Sequence, residues 1–203
     1  YVNLLNGGTL WMQGLRRSGG NGVLTVSFDG GVYKTVLNQD VFNYGSASTM
    51  KPNHVYVYSK GAVIDTSASS AFTDVPIEGG DGDGVVAIPW TDTTSKFCYA
   101  PIVRIDGDGM GATAEAVYDA ESCTVTGIRV TTPGVGYTQA TAKVLRYRGE
   151  ASATIACQIG ANPASGPFIK RGSGTFSLGA TNGWCGATVV KGGSLKAKCD
   201  WAI

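Results

Sequence analysis

Two glycine-rich loops carry closely spaced carboxylates, and they are the strongest candidates for a metal site in this sequence. Asp81 and Asp83 lie within the run Glu78–Gly84, while a single glycine separates Asp106 from Asp108. Alternating carboxylates in a flexible loop suit Ca²⁺, which takes about six to eight oxygen ligands. Neither loop has the spacing of an EF-hand or of a calcium-binding β-roll, so ordinary turn chemistry is the stronger interpretation. Calcium bound by these four aspartates is the alternative, and we expect no other cofactor.

Thiols are the second group with chemistry of their own. No CxxC motif and no Cys/His metal spacing is present, so a structural zinc site is not expected. Cys185 and Cys199 are the disulfide candidates if they lie on neighbouring strands, and two disulfides with one remaining thiol would fit an oxidising compartment. Five buried thiols are an equally good interpretation. The cysteines are Cys98, Cys123, Cys157, Cys185 and Cys199.

The only histidine, His54, restricts catalysis, because Ser/His and Cys/His mechanisms need an imidazole beside the nucleophile. It follows the polar turn residues Lys51–Asn53, which favours a solvated or capping role. A β-helix enzyme acting on polysaccharides would need acidic residues and a cation on one face, and Asp65, Asp74 and Arg104 are available for that. Nothing in their spacing requires it, so we expect no catalytic residues and no enzyme.

Aromatic side chains offer a different chemistry, stacking on sugar rings. Tyr56 and Tyr58 alternate with two valines and therefore share one face of a strand, and Trp11 and Trp184 are further candidates. Aromatics that cover the protein's own surface or pack under loops are the stronger interpretation. A glycan-binding role is kept as the alternative.

The composition excludes several classes of function. Charged residues make up 15% of the chain and the net charge is +1, with no basic stripe of the kind that binds nucleic acid. No run approaches the ~20 apolar residues of a membrane helix, so we expect no membrane insertion of this segment. Glycine supplies 30 of the 203 residues, which indicates many tight turns between short strands.

An internal repeat sets the fold prediction. Val2–Met12 and Ala187–Ala197 align as a short strand, a Gly-Gly corner and a second short strand. Val55–Ile64 is a third copy, and Leu24–Tyr33 is a looser fourth. Alternation within these strands has a period of two, so one face must be buried, and stacked copies can share one core. The pattern predicts β-solenoid rungs, and it is less well explained by a β-sandwich.

The middle of the chain has a different texture. Met110–Tyr118 and Cys123–Val130 are small-residue strands around a turn, which predicts a β-hairpin, and two more strands follow. We therefore predict solenoid rungs over residues 1–95, an inserted small antiparallel β module over 96–160, and solenoid rungs again over 161–203.

Three consecutive stretches near the C-terminus resemble the autotransporter-associated β-strand repeat. They are Gly172–Leu178, Asn182–Val190 and Gly192–Leu195, with Trp184 in place of the usual central tyrosine. Two further stretches, Ala62–Thr66 and Gly109–Tyr137, resemble other elements found among such repeats. The chain lacks the C-terminal membrane barrel of that family and is richer in cysteine than its members usually are.

The resemblance implies a right-handed parallel β-helix from an exported, extracellular or cell-surface protein of a diderm bacterium. Such proteins act in adhesion, surface layers or fibres, and the family brings no catalytic residues. The expected function is a non-catalytic structural or adhesive segment, and a carbohydrate-binding or carbohydrate-cleaving β-helix is the alternative. Expected partners are copies of the chain, stacked end to end, or adjoining repeats of a longer chain, and surface glycans.

Overall fold

The computed structural model describes residues 1–17, 22–42, 50–146, 149, 151–200 and 202–203. These residues form nineteen β-strands and almost no helix, which confirms the all-β class. The chain makes two compact units, one of Tyr1–Gly80 with Pro163–Ile203 and one of Asp81–Asn162. In chain order the strands are β1 (Val2–Leu5), β2 (Thr9–Trp11), β3 (Thr25–Asp29), β4 (Gly31–Lys34), β5 (His54–Val57), β6 (Ala62–Asp65), β7 (Ala71–Thr73), β8 (Glu78–Gly79), β9 (Asp83–Ala87), β10 (Ile102–Gly107), β11 (Thr113–Asp119), β12 (Thr124–Thr132), β13 (Ala140–Leu145), β14 (Ala151–Ala156), β15 (Gln158–Ala161), β16 (Phe168–Arg171), β17 (Thr175–Leu178), β18 (Thr188–Val190) and β19 (Ser194–Ala197).

The first unit contains three sheets whose strand pairs, in the described residues, are all parallel. The first sheet has the order β1-β3-β5-β8, the second β18-β16-β6-β4-β2, and the third β19-β17-β7. Consecutive strands of this unit therefore belong to different sheets, and each pairs with its counterpart from another pass of the chain. Parallel strands need such a crossover, because a tight hairpin cannot join them.

The register of the first sheet is constant across its four strands. Asn3 lies opposite Ser27, Ser27 opposite Tyr56, and Tyr56 opposite Glu78. A slip of one residue would turn the apolar side chains outward, so burial of one face fixes the register. The result is a row of polar side chains on the face of the sheet opposite to Val26 and Val55, in which Ser27 and Tyr56 are nevertheless buried.

The core of this unit follows from the predicted alternation. Val26 and Phe28 of β3 and Val55 and Val57 of β5 are buried in one cluster. Full burial of such a side chain contributes roughly 1.5–3 kcal/mol.

Aromatic rings continue this core into the later strands. The ring of Phe168 lies 6.2 Å from that of Phe176 and 4.6 Å from that of Trp184, centroid to centroid. Trp184 is therefore a packing residue rather than an exposed ring for binding sugars, because it stacks against the buried Phe168.

Glycine is required at the corners where one pass of the chain lies against the next. Gly61 has φ +81°, and a Cβ there would lie 2.3 Å from the carbonyl oxygen of Pro167. Gly193 has φ +63°, and a Cβ there would lie 2.0 Å from the carbonyl oxygen of Gly174. Only glycine tolerates both the left-handed backbone and such a close approach.

The second unit is antiparallel throughout its described strand pairs. β10, β13 and β14 form one sheet, β11 and β12 form the predicted hairpin, and β9 pairs with β15. The last pair joins the two ends of the unit, because Asp83 lies opposite Ala161 and the Asn162 N–H donates to the Gly82 carbonyl at 2.7 Å.

The borders of this unit differ from the predicted insert of residues 96–160. The unit runs from Asp81 to Asn162, because β9 pairs with β15 rather than with a strand of the first unit. Val85 of β9 is fully buried in the second unit's own core, together with Tyr137 and Ala142. The strand that we assigned to the solenoid rungs therefore belongs to the insert.

Candidate functional site

One polar cluster lies on the outward face of the first sheet. Alternation along β5 puts His54 and Tyr56 on the same face, and the register places Glu78 beside Tyr56. The rings of His54 and Tyr56 stack with centroids 5.6 Å apart and an interplanar angle of 3°. The Tyr56 hydroxyl lies 3.2 Å from His54 Nδ1, and Glu78 Oε2 lies 3.8 Å from the same nitrogen.

The electrostatics of this cluster disfavour ionisation of the Tyr56 hydroxyl. Burial, followed by the charge of Glu78, raises the pKa of Tyr56 to about 12, so the phenol stays neutral at physiological pH. The side chains of His54 and Glu78 are 30% and 44% exposed and face solvent. Tyr56 and Tyr58 are only 6% and 2% exposed, so a sugar ring has no access to them. The prediction that these two rings stack on sugars is wrong.

A second cluster joins two aspartates through one lysine. Lys51 Nζ lies 3.5 Å from Asp40 Oδ2 and 3.7 Å from Asp74 Oδ2. Asp40 is 5% exposed, and its other carboxylate oxygen accepts from the Phe42 N–H at 2.9 Å. Burial raises the pKa of Asp40 despite the opposing effects of this N–H and of Lys51. Local sequence gives no signal for this cluster, because its members meet only through the pairing of Asp40 with Phe72.

The predicted catalytic trio is not brought together. Asp65 accepts from the Ser67 N–H at 2.8 Å and lies 3.5 Å from Arg171 Nε. Asp74 belongs to the lysine cluster, and Arg104 lies in the second unit, where it pairs with a neighbouring aspartate. Each residue thus has a separate ionic partner.

Asp106, one of the four predicted calcium ligands, is held between two cations. Its Oδ2 lies 2.9 Å from Lys143 Nζ and 3.0 Å from Arg104 Nη2. Hydrogen bonds from these two side chains hold the pKa of Asp106 below its ordinary value. A carboxylate in this position already has its charge balanced by the protein.

Asp108 joins its loop to a distant segment of the second unit, whereas the favoured interpretation was turn chemistry within the loop itself. It accepts hydrogen bonds from the Thr138 hydroxyl and from the N–H groups of Thr138 and Gln139, the latter two at 3.0 and 3.1 Å. These bonds lower the pKa of Asp108 to about 2, and the bond from the Thr138 hydroxyl has the largest effect. Asp81 and Asp83 also lie in the described part of the chain, and no three His, Cys, Asp or Glu side chains in that part meet in a metal-binding group.

The second unit contains a cavity of about 460 Å³ that the sequence did not reveal. Its walls are mainly apolar, and they include the rings of Phe97 and Tyr99 and the side chain of Ile102. Tyr99 and Ile102 are 75% and 71% exposed, which is high for large apolar side chains. The Arg146 guanidinium lies 5.3 Å from the Phe97 ring centroid, within the range of a cation–π contact.

All five cysteines lie within the described residues and are present as thiols. Among these residues, therefore, no disulfide joins Cys185 to Cys199. Cys185 precedes β18 and is exposed, whereas Cys199 follows β19 and packs against the core of the first unit. The two do not lie on paired strands, which was the condition for the predicted bond.

Comparison with family models, with curated proteins and with solved structures finds no match for this chain. The resemblance to autotransporter-associated repeats therefore stays a prediction. Among the described residues, no helix has the length and apolar character needed to cross a bilayer.

Proposed function

We propose that the first unit is a right-handed parallel β-solenoid and that the chain is a non-catalytic structural or adhesive segment of an exported bacterial surface protein. The observation that carries this is the constant parallel register from Asn3 through Ser27 and Tyr56 to Glu78. Successive passes of a chain that stack in this way share a continuous core, as repeat proteins do.

The glycine corners support the same proposal. Gly61 and Gly193 each lie close to the backbone of the neighbouring pass, which is the contact that a repeated turn creates. The strands β17, β18 and β19 also overlap, in that order, the stretches Gly172–Leu178, Asn182–Val190 and Gly192–Leu195 that resemble the autotransporter repeat.

The solenoid is tested by NMR on the full chain. Nuclear Overhauser effects between the backbones of Ser27 and Tyr56, and of Tyr56 and Glu78, in a parallel pattern are expected. An antiparallel pattern, or no effect between these strands in a folded sample, would overturn the solenoid.

The function is tested with a panel of mucins and plant polysaccharides. We expect retention of the chain on at least one immobilised glycan, with no soluble product released from any of them. Release of reducing or unsaturated sugar ends would overturn the non-catalytic proposal, and the absence of all retention would reduce the role to a structural spacer.

Glycan binding is the second candidate function, and the cavity of the second unit favours it. An exposed Tyr99 ring beside Arg146 offers both a stacking surface and a hydrogen-bond donor, the combination used for polar ligands with apolar faces. Tyr99→Ala should weaken retention at least tenfold if this cavity binds the sugar. Tyr1→Ala, at an exposed tyrosine of the first unit, serves as the control and should leave retention unchanged.

A further inference from the structure

Two cysteines of the second unit lie on neighbouring backbone segments. Lys96 pairs with Thr124 in an isolated antiparallel bridge, and the Phe97 N–H donates to the Cys123 carbonyl at 2.8 Å. Cys98 is the next residue on the first segment and also lines the cavity. Opposite Cα atoms in antiparallel pairs are about 4.5–5.5 Å apart, so a diagonal neighbour lies at roughly 6 Å, within the Cα separation of about 4.4–6.8 Å that a disulfide spans.

The backbone of Cys123 removes the usual objection to such a pair. In a regular ladder, residues one step apart on facing strands point to opposite faces, and their sulfur atoms cannot meet. Cys123, however, ends the hairpin turn with φ +54°, in the left-handed region that few residues other than glycine adopt. This conformation interrupts the regular alternation at Cys123, and the Cys123 Sγ donates to the Ala120 carbonyl oxygen of its own turn at 3.6 Å.

A single hydroxyl group lies close to both thiols. The Tyr118 hydroxyl donates to the carbonyl oxygen of Phe97 at 2.9 Å, and this carbonyl belongs to the peptide that leads into Cys98. Burial raises the pKa of Tyr118, and the Cys123 and Cys98 thiols raise it further. The Tyr118 hydroxyl therefore interacts with Cys123 and lies against the peptide that precedes Cys98.

We propose that Cys98 and Cys123 form a disulfide bond under oxidising conditions, which fixes the wall of the cavity to the turn of the β11–β12 hairpin. A low-molecular-weight disulfide such as oxidised glutathione is the electron acceptor. One cysteine thiolate attacks it, forms a mixed disulfide and releases one glutathione thiol. The second cysteine then displaces the other glutathione, so the two cysteines together lose two electrons and two protons.

Access and burial distinguish this pair from Cys157, the other thiol of the second unit. Cys98 is exposed and Cys123 is partly exposed, so an oxidant reaches both. Cys157 packs against the core of the second unit, and burial raises its pKa, which disfavours the reactive thiolate. One disulfide between Cys98 and Cys123 would leave the other three of the five cysteines as thiols.

Peptide mapping tests the proposal on the full chain, because trypsin separates all five cysteines. Cleavage after Lys96, Arg104 and Arg129 places Cys98 and Cys123 in the adjoining peptides 97–104 and 105–129. The other three cysteines fall in the peptides 149–170, 172–191 and 199–203, so every pairing gives its own mass. The folded protein is equilibrated with oxidised glutathione, its remaining thiols are alkylated, and it is digested without reduction.

The expected result is a linked pair of peptides 97–104 and 105–129 that disappears on reduction. Cys98→Ser and Cys123→Ser should each abolish it, and Cys157→Ser should leave it intact. The wild-type second unit should also unfold at a higher temperature when oxidised than when reduced, and Cys98→Ser should remove this difference. Full alkylation of Cys98 and Cys123 in the oxidised protein, or a link from either of them to another cysteine, would overturn the proposal.

Discussion

Buried hydroxyl groups in the first unit are of two kinds that local sequence does not distinguish. Thr73 Oγ1 accepts a hydrogen bond from the Val75 N–H at 3.0 Å. Thr25 Oγ1 and Ser27 Oγ are also buried but have no hydrogen-bond partner among the described residues. All three are short polar residues of strands, so residue type alone does not show which of them has a partner; that of Thr73 is Val75, two residues along the chain. A buried hydroxyl without a hydrogen-bond partner destabilises the folded state and so lowers the free energy of unfolding.

Thr25→Val and Thr73→Val should therefore change stability in opposite directions. Valine keeps the shape of threonine, so the first substitution removes only an unsatisfied hydroxyl and should raise the free energy of unfolding by about 1 kcal/mol. The second leaves the Val75 N–H without its acceptor and should lower this free energy by about 1–2 kcal/mol. Equilibrium urea denaturation measures both, and equal signs for the two variants would contradict the assignment.

Lys170 is a cation inside the first unit that is held by backbone carbonyls. It is fully buried, and its Nζ donates to the carbonyl oxygens of Arg171, Gly172 and Gly192 at 3.0, 2.7 and 2.9 Å. Lys170→Met removes this donor from three acceptors at once and should lower the free energy of unfolding by about 1–3 kcal/mol. Lys191→Met, at an exposed lysine in the next pass, is the control and should change it by less than about 0.5 kcal/mol.

The same lysine predicts a pH dependence. Burial lowers the pKa of Lys170 from its ordinary 10.5, although Asp65 opposes this shift. Between the lowered pKa and 10.5 the unfolded chain binds more protons than the folded chain, so stability rises with pH in this window. The difference in unfolding free energy between wild type and Lys170→Met should therefore grow in favour of the wild type as the pH approaches 10.5. A flat difference from neutral to alkaline pH would show that Lys170 titrates normally.

At the scale of the element, the strand–glycine–strand unit was predictable because its signals are local. Val2–Met12, Leu24–Tyr33, Val55–Ile64 and Ala187–Ala197 each contain a strand, a corner and a second strand. The border at Asp81 was not predictable, because only the pairing of β9 with β15 shows to which unit β9 belongs.

The candidate sites show the same limit. Asp108 accepts hydrogen bonds from Thr138 and Gln139, about thirty residues along the chain, so its partners could not be predicted from its own loop. The Asp40–Lys51 pair and the cavity beside Tyr99 depend on distant segments that meet only in the folded chain. Residue type and spacing therefore did not identify the places where separate elements converge.

The corner glycines allow the stacking contact to be separated from backbone strain. Gly7 and Gly61 have almost the same φ, +82° and +81°, but a Cβ at Gly7 meets no atom within 4 Å, whereas one at Gly61 lies 2.3 Å from the Pro167 carbonyl oxygen. Gly7→Ala should lower the free energy of unfolding by about 1–2 kcal/mol through strain alone. Gly61→Ala should cost at least about 1 kcal/mol more, because neighbouring passes must move apart. If urea denaturation gives equal losses of unfolding free energy for the two variants, the close contact at Gly61 does not affect stability.

At the scale of the whole molecule, the chain combines two ways of closing a β-structure. The first unit buries its apolar faces between parallel sheets built from both ends of the chain, residues 1–80 and 163–203. The second unit is made from one continuous segment, and within the described residues its strands pair with each other. A unit of the first kind needs both of its segments, whereas a unit of the second kind contains all of its pairing partners.

The segment 81–162 should therefore fold when it is expressed alone. Its first and last strands pair, the Asn162 N–H bonds the Gly82 carbonyl at 2.7 Å, and its core residues Val85, Tyr137 and Ala142 all come from within the segment. We expect a β-type circular dichroism spectrum, dispersed amide signals in NMR and a cooperative thermal transition, because no strand of this unit lacks its partner when the rest of the chain is removed. Val85→Asp places a charge in the core and should abolish the transition, which provides the control for specific folding. A fragment without cooperative unfolding would show that antiparallel closure at β9 and β15 is not sufficient and that the unit depends on residues 1–80 or 163–203.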